Sequence, residues 1–137
     1  MLELYADFNR PTDPNPPAQD IQAIFDAIAS MGHLAVAEIG GNIVGSYAIY
    51  ICPNLARGGK PFGVVENVIV SAAWRRKGVG RALMMHAQDS AKAAGCYKLT
   101  LCTRQDRPKN HRFYEACGFV GDKIGYQVRY MLHQHEI

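Results

Sequence analysis

The spacing of apolar residues changes period several times along the chain, and each change marks an element. Between residues 19 and 31, Ile21, Ile24, Phe25 and Ile28 recur at helical spacing, predicting an amphipathic helix that Gly32 ends. Residues 33–39 and 43–51 are instead rich in β-branched and aromatic side chains, with the turn Gly40-Gly41-Asn42 between them, and predict a hairpin. A third strand spans 64–70 (Val64-Val65-Glu66-Asn67-Val68-Ile69-Val70), and helical spacing returns over 82–94 until Gly95. Residues 97–103 read as a strand, and Asn110 to Ala116 as a short helix with Gly118 as its C-terminal glycine. Residues 119–122 and 125–132 are the last extended stretches, and 133–137 a loose tail. At the other end, residues 1–9 fit either a strand or the tail of a helix, and Arg10 to Pro17, with Pro11, Pro14, Pro16 and Pro17, is a loop. Residues 53–61 form a basic, glycine-containing surface loop. The order predicts one mixed α/β (α+β) domain over 1–137, with an antiparallel first half and a βαβ unit in its middle.

Composition narrows this little and excludes more. A chain of 137 residues with 48% hydrophobic and 20% charged residues is an ordinary globular domain with a core of its own. A net charge of +3 is too mild to argue for nucleic acid. Cys52, Cys96, Cys102 and Cys117 lack the spacing of a metal site, so no metal is expected, and they read as reduced core residues of a cytoplasmic protein. No apolar run reaches membrane-spanning length, and the first residues lack the basic and apolar regions of a signal peptide.

The candidate chemistry lies between the third strand and the following helix, in Arg75-Arg76-Lys77-Gly78-Val79-Gly80-Arg81. A loop opening a helix presents unpaired N–H groups at the positive end of the helix dipole, which suits an anion. Glycines at 78 and 80 let the backbone curl and approach a bulky ligand. The expected ligand therefore bears phosphate and is held mainly by main chain. A P-loop would need GxxxxGK followed by Ser or Thr, which the chain lacks. A dinucleotide fold would need glycine or alanine where Leu83 stands.

Arg75-x-x-Gly78-x-Gly80 after a strand resembles the acyl-CoA pyrophosphate loop of GNAT-type N-acetyltransferases. A second segment, Asn110-His111-Arg112-Phe113-Tyr114-Glu115-Ala116-Cys117-Gly118-Phe119, resembles the signature on that family's short last helix. The likeness covers roughly residues 33 to 132, and Gly95-Cys96-Tyr97-Lys98-Leu99-Thr100 together with the run Phe113 to Phe119 is further similar to the glucosamine-6-phosphate branch. It implies a mixed, mostly antiparallel sheet splayed near residue 68 and flanked by helices. Family members begin with a strand and a complete helix before the Pro-rich stretch. Here nine residues precede it, so the first strand is missing or residues 1–9 are a helix remnant.

The resemblance implies transfer of an acetyl group from acetyl-CoA, a cosubstrate, to a primary amine of a small molecule in a ternary complex. The main chain of Val68, Ile69 and Val70 would hold the pantetheine arm, with the N–H of Val68 or Val70 polarising the thioester carbonyl. The N–H groups of Arg76, Lys77, Gly78, Val79, Gly80 and Arg81 would wrap the pyrophosphate. Arg75 either pairs with a phosphate or merely starts the loop. Tyr114 is the candidate general acid toward the CoA sulfur, with Phe113 beside it. Asn110 either reaches the CoA arm or caps the helix. Glu66 is either the general base, desolvated among valines on the side of Val64, Val68 and Val70 with a raised pKa, or a structural carboxylate. His86 and His111 read as packing or surface residues.

An alternative of another class is a non-catalytic acyl-CoA-binding sensor or regulatory domain of the same fold. Nucleic acid and membrane partners are not expected. A homodimer is a habit of the family. The acceptor stays open among amino sugar phosphate, polyamine, amino acid, antibiotic and protein amine.

Overall fold

Four strands form one sheet in the order β1-β2-β3-β4, with the first three antiparallel and the last joined parallel. The structure, a computed structural model, describes Leu4 and residues 15 to 130. Apart from Leu4, which is helical and buried, the expectations for residues 1–9 and for the tail at 133–137 lie outside the described residues. Helix α1 (Ile21–Met31) follows a 3-10 turn and stops at Gly32, where the chain becomes extended. β1 (Gly32–Ile39) and β2 (Asn42–Cys52) make the predicted hairpin, with Gly40 and Gly41 at φ 56 and 82 supplying the left-handed turn that matches strand twist. β3 (Phe62–Val70) pairs with β2, and α2 (Val79–Ala93) then crosses to β4 (Leu99–Thr100). Helix α3 (Pro108–Ala116) begins on a proline, whose missing N–H costs nothing at a helix start.

The core lies between α2 and one face of the sheet. Val44, Tyr47, Ile49 and Val65 from β2 and β3 cluster with Val79, Leu83, Met84, Ala87 and Ala91 from α2. Each large member contributes about 1.5–3 kcal/mol through removal from water. No helix among the described residues is long and apolar enough to cross a membrane.

The structure corrects three expectations. α2 starts at Val79 rather than residue 82, so the second half of the glycine loop is its first turn. The strand expected over 97–103 pairs only at Leu99 and Thr100. The extended stretches expected at 119–122 and 125–132 form no strand among the described residues, and Tyr126 and Tyr130 are 93% and 97% exposed. The fourth strand ends close to an irregularity in β3. Ala48 pairs with Glu66 but Ser46 with Ile69, so Asn67 and Val68 together oppose Tyr47 in a β-bulge, with Asn67 at φ 55. A bulge bends its strand and steepens the twist, and β4 parts from β3 just before it.

Candidate active site

Parallel pairing between β3 and β4 ends at Val64↔Thr100, and the chains diverge beyond it. The gap is a cleft of about 240 Å³ lined by Val65, Glu66, Asn67, Val68, Leu101, Cys102, Thr103, Arg104, Asn110 and Tyr114. On this side β3 offers backbone groups that no strand among the described residues takes, and an extended ligand can pair with such an edge. Val68 belongs to the bulge and to the cleft wall, whereas Ile69 and Val70 are not among the lining residues.

Tyr114 stands on the wall opposite β3, fixed by edge-to-face contacts with Phe113 and Phe119 at 5.0 and 5.9 Å between ring centres. Burial pushes its phenol up to about 12, with nearby Cys117 adding to the shift. The phenol therefore keeps its proton across the neutral range and acts as a hydrogen-bond donor. Outright transfer to a thiolate whose thiol titrates near ~8.5 would cost about 5 kcal/mol. Asn110 is the third residue of α3, and Arg107 holds the N-cap position, so the capping role considered for Asn110 does not apply. Its Nδ2 donates to Thr103 Oγ1 at 3.4 Å, across the cleft's end.

Glu66 reaches the cleft but is exposed, so the desolvation expected of it is not present. Residues paired across strands share a face. Glu66, opposite Ala48, therefore lies on the side of Val64 and Ile69, while the extra residue of the bulge turns Val70 to the other side. Simple alternation had put Glu66 beside Val70; the bulge reverses this.

The loop at the end of β3 divides its cations among separate tasks. Arg75 Nε donates to the Val70 carbonyl at 3.1 Å and so ties the loop start to the end of β3. Lys77 lies 5.1 Å over the Trp74 ring. Burial pushes the Cys117 thiol up, and nearby Arg81 offsets part of that shift. Arg76, at φ 60, and Gly78, at φ 86, both take the left-handed conformation that curls the loop into the helix. A Cβ on Gly78 would meet nothing within 4 Å, so open space lies beside it; one on Gly80 would stand 3.0 Å from Phe113 Cζ. Gly78 is thus conformational and Gly80 a packing glycine, and Phe113 seats the α2 start against α3 rather than lining the cleft.

Sequence reasoning missed Asn67, Leu101, Cys102, Thr103 and Arg104 as cleft residues. Cys102, expected in the core, is exposed there; all four cysteines are free. Arg104 bonds Asp106 through two contacts of 2.9 and 2.7 Å, and the hydrogen bond from Arg104 holds the Asp106 carboxyl below its ordinary range. His111 Nε2 donates to the Arg104 carbonyl at 2.7 Å, so His111 is structural. His86 is not idle surface: it bonds the buried Tyr47. No group of three or more His, Cys, Asp or Glu among the described residues could hold a metal ion.

Comparison with known proteins bears on the family and the fold. The acetyltransferase (GNAT) family model matches residues 1–119. The glucosamine 6-phosphate N-acetyltransferase of Trypanosoma brucei brucei is 39% identical over 79 residues, 58% of this chain, and the match spans only about half (52%) of that relative's length. The probable glucosamine 6-phosphate N-acetyltransferase 2 of Oryza sativa subsp. japonica is 34% identical over 115 residues, covering 78% of this chain and 67% of its own. Among solved structures, a putative acetyltransferase from Agrobacterium tumefaciens is 41% identical and superposes with a TM-score of 0.83, over 93% of this chain and 90% of that one. With the family model spanning most of the sequence and a solved relative of the same shape, the chain belongs to the acetyltransferase (GNAT) family.

Proposed function

We propose that this protein transfers the acetyl group of acetyl-CoA to a primary amine of a small molecule by direct attack in a ternary complex. One observation carries the reading: β3 opens away from β4 beside Tyr114 and leads, at its other end, into the left-handed loop before α2. A thioester arm laid along β3 would then have its carbonyl near the Val68 N–H and its sulfur near the Tyr114 phenol. The pyrophosphate would lie on the N–H groups from Arg76 to Arg81, at the positive end of α2.

In the reaction the amine nitrogen bonds to the acetyl carbon, and the carbonyl oxygen gains charge that the Val68 N–H stabilises. The carbon–sulfur bond then breaks and the sulfur leaves as thiolate, which the Tyr114 hydroxyl stabilises by hydrogen bonding. The amine must be neutral to attack, although an alkyl ammonium titrates near ~10. Glu66, exposed at the cleft mouth, takes the released proton through water. Two relatives bear the name of glucosamine 6-phosphate acetylation, which makes an amino sugar phosphate the first acceptor to test.

The test has two stages. Melting temperature is followed during titration with acetyl-CoA, CoA, ATP and NAD, since a ligand of the folded state alone raises it. Thiol release is then measured with glucosamine 6-phosphate, a polyamine, an aminoglycoside and an amino acid. Stabilisation by acetyl-CoA and CoA alone, followed by amine-dependent thiol release, is the expected result. No stabilisation by either CoA species would sink the reading. Binding without turnover on any amine would favour the acyl-CoA sensor instead.

A further inference from the structure

Tyr47, at the middle of β2, is completely buried, yet its hydroxyl meets two histidines from other elements. Its Oη lies 2.7 Å from Nδ1 of His86 on α2 and 3.1 Å from Nε2 of His33 at the start of β1. The three rings stand edge to face, with centres 5.8 to 6.0 Å apart. A phenol has one proton to give and lone pairs to accept with, so one imidazole accepts from Tyr47 while the other donates to it. A buried hydroxyl needs such partners, but one would have sufficed.

The position of this cluster is informative. α2 attaches to the sheet through Val79, Leu83, Met84, Ala87 and Ala91, and apolar contacts of this kind have no preferred direction. The hydrogen bond between His86 and Tyr47 adds a directional tie between α2 and the sheet, and Ser90 of the same helix also bonds the Tyr47 hydroxyl. The same helix begins at Val79, directly after the left-handed Gly78. On the sheet side, Tyr47 is the residue that faces both members of the bulge, Asn67 and Val68, which line the cleft. His33 holds the phenol from the third side, so Tyr47 cannot follow the helix if the helix slides.

We infer that Tyr47, clamped between His33 and His86, is a positioning residue for the acyl donor. It sets the distance between the bulge that receives the thioester and the helix start that receives the pyrophosphate. The inference rests on the reading of this cleft and loop as an acyl-CoA site. It assigns Tyr47 no contact with the ligand; its effect passes through α2 and β3.

The test is Tyr47→Phe, which keeps the ring and its packing and removes the hydroxyl. CoA affinity by calorimetry and steady-state kinetics in both substrates are measured on wild type and variant. The Kd for CoA and the KM for acetyl-CoA are expected to rise about fivefold, the equivalent of one neutral hydrogen bond. Acceptor KM and kcat are expected to hold. His86→Leu, at a surface-reaching position, should reproduce the effect, and His86→Gln, which keeps a polar end, should recover most of it. This second pair preserves the test if Tyr47→Phe does not fold. A lowered melting temperature with unchanged donor KM, or an equal loss in both substrates, overturns the inference and leaves Tyr47 a core tyrosine. If wild type itself binds no CoA, the donor-site reading falls and takes this inference with it. Wild-type binding with indifferent variants overturns the inference alone.

Discussion

β3 has two unlike sides. Toward β2 it is paired along its whole length, from Phe62↔Cys52 to Val70↔Gly45, interrupted only by the bulge. Toward β4 it makes two pairs, Gly63↔Leu99 and Val64↔Thr100, and then none. The face between the closed side and α2 is dry: Tyr47, Ile49, Val65 and Met84 are at most 2% exposed. The open side is a polar-rimmed cleft with Tyr114 on its far wall. A strand edge without a partner is ordinarily a hazard, because it recruits whatever strand comes near. Here the closed side is fully paired, so under the proposed function the open edge would hold a ligand without the strand unravelling. On the proposed function, stability and recognition divide across one strand.

Substitutions on the two sides should therefore fail in different ways. Met84→Ala, on the closed side, removes a wholly buried side chain and should cost about 2–5 kcal/mol, measured as a lower denaturant midpoint with acetyl-CoA KM unchanged in the surviving folded protein. Tyr114→Phe, on the open side, should lower kcat about a hundredfold while CoA affinity and the denaturant midpoint stay near wild type. If Tyr114→Phe proved chiefly destabilising, or Met84→Ala chiefly raised donor KM, the division of labour would not hold.

Much of the closed side could be read from the residues, and much of the open side could not. The helix at Ile21, Ile24, Phe25 and Ile28 and the hairpin at Gly40-Gly41 follow from local periodicity and turn chemistry, which need no tertiary information. The loop at 75–81 stood out from its glycines and cations at a helix start, and the family likeness added its ligand and Tyr114. The bulge at Asn67 left only one trace, an αL-tolerant residue inside a run of valines. Without the bulge, alternation put Val70 on the side of Glu66, and the fourth strand was expected to run through Thr103. Cys102, Thr103 and Arg104 become cleft residues because pairing with β3 ends at Thr100. His33, Tyr47 and His86 are separated by 14 and 39 positions, and no local pattern links them.

The bulge itself is the place to test whether the two sides are coupled. Asn67 holds φ 55, a conformation that Gly adopts freely and that a β-branched residue resists. Asn67→Val should cost about 1–2 kcal/mol and also raise acetyl-CoA KM, since relieving the strain would straighten β3 and narrow the cleft. Asn67→Gly should leave both nearly unchanged. Loss of stability without a change in KM would mean that the cleft does not depend on the bulge, and that β4 diverges for some other reason.

The smallest expected effect is a dependence on pH from the closed side. Burial depresses the pKa of His33 below its ordinary 6.5, and the neighbouring His86 lowers it further. The unfolded chain therefore takes up a proton at His33 before the folded one does. Since the unfolded state then binds more protons, stability rises with pH across this window, and it is lost as pH falls from about 6.5 toward the depressed folded value. His33 is only half-buried, so solvent screening keeps the effect small. Urea midpoints at pH 7.5 and 5.5 should fall more for wild type than for His33→Gln, which cannot ionise. Equal falls in the two proteins would show that His33 is fully solvated, and that Tyr47 is held from α2 alone.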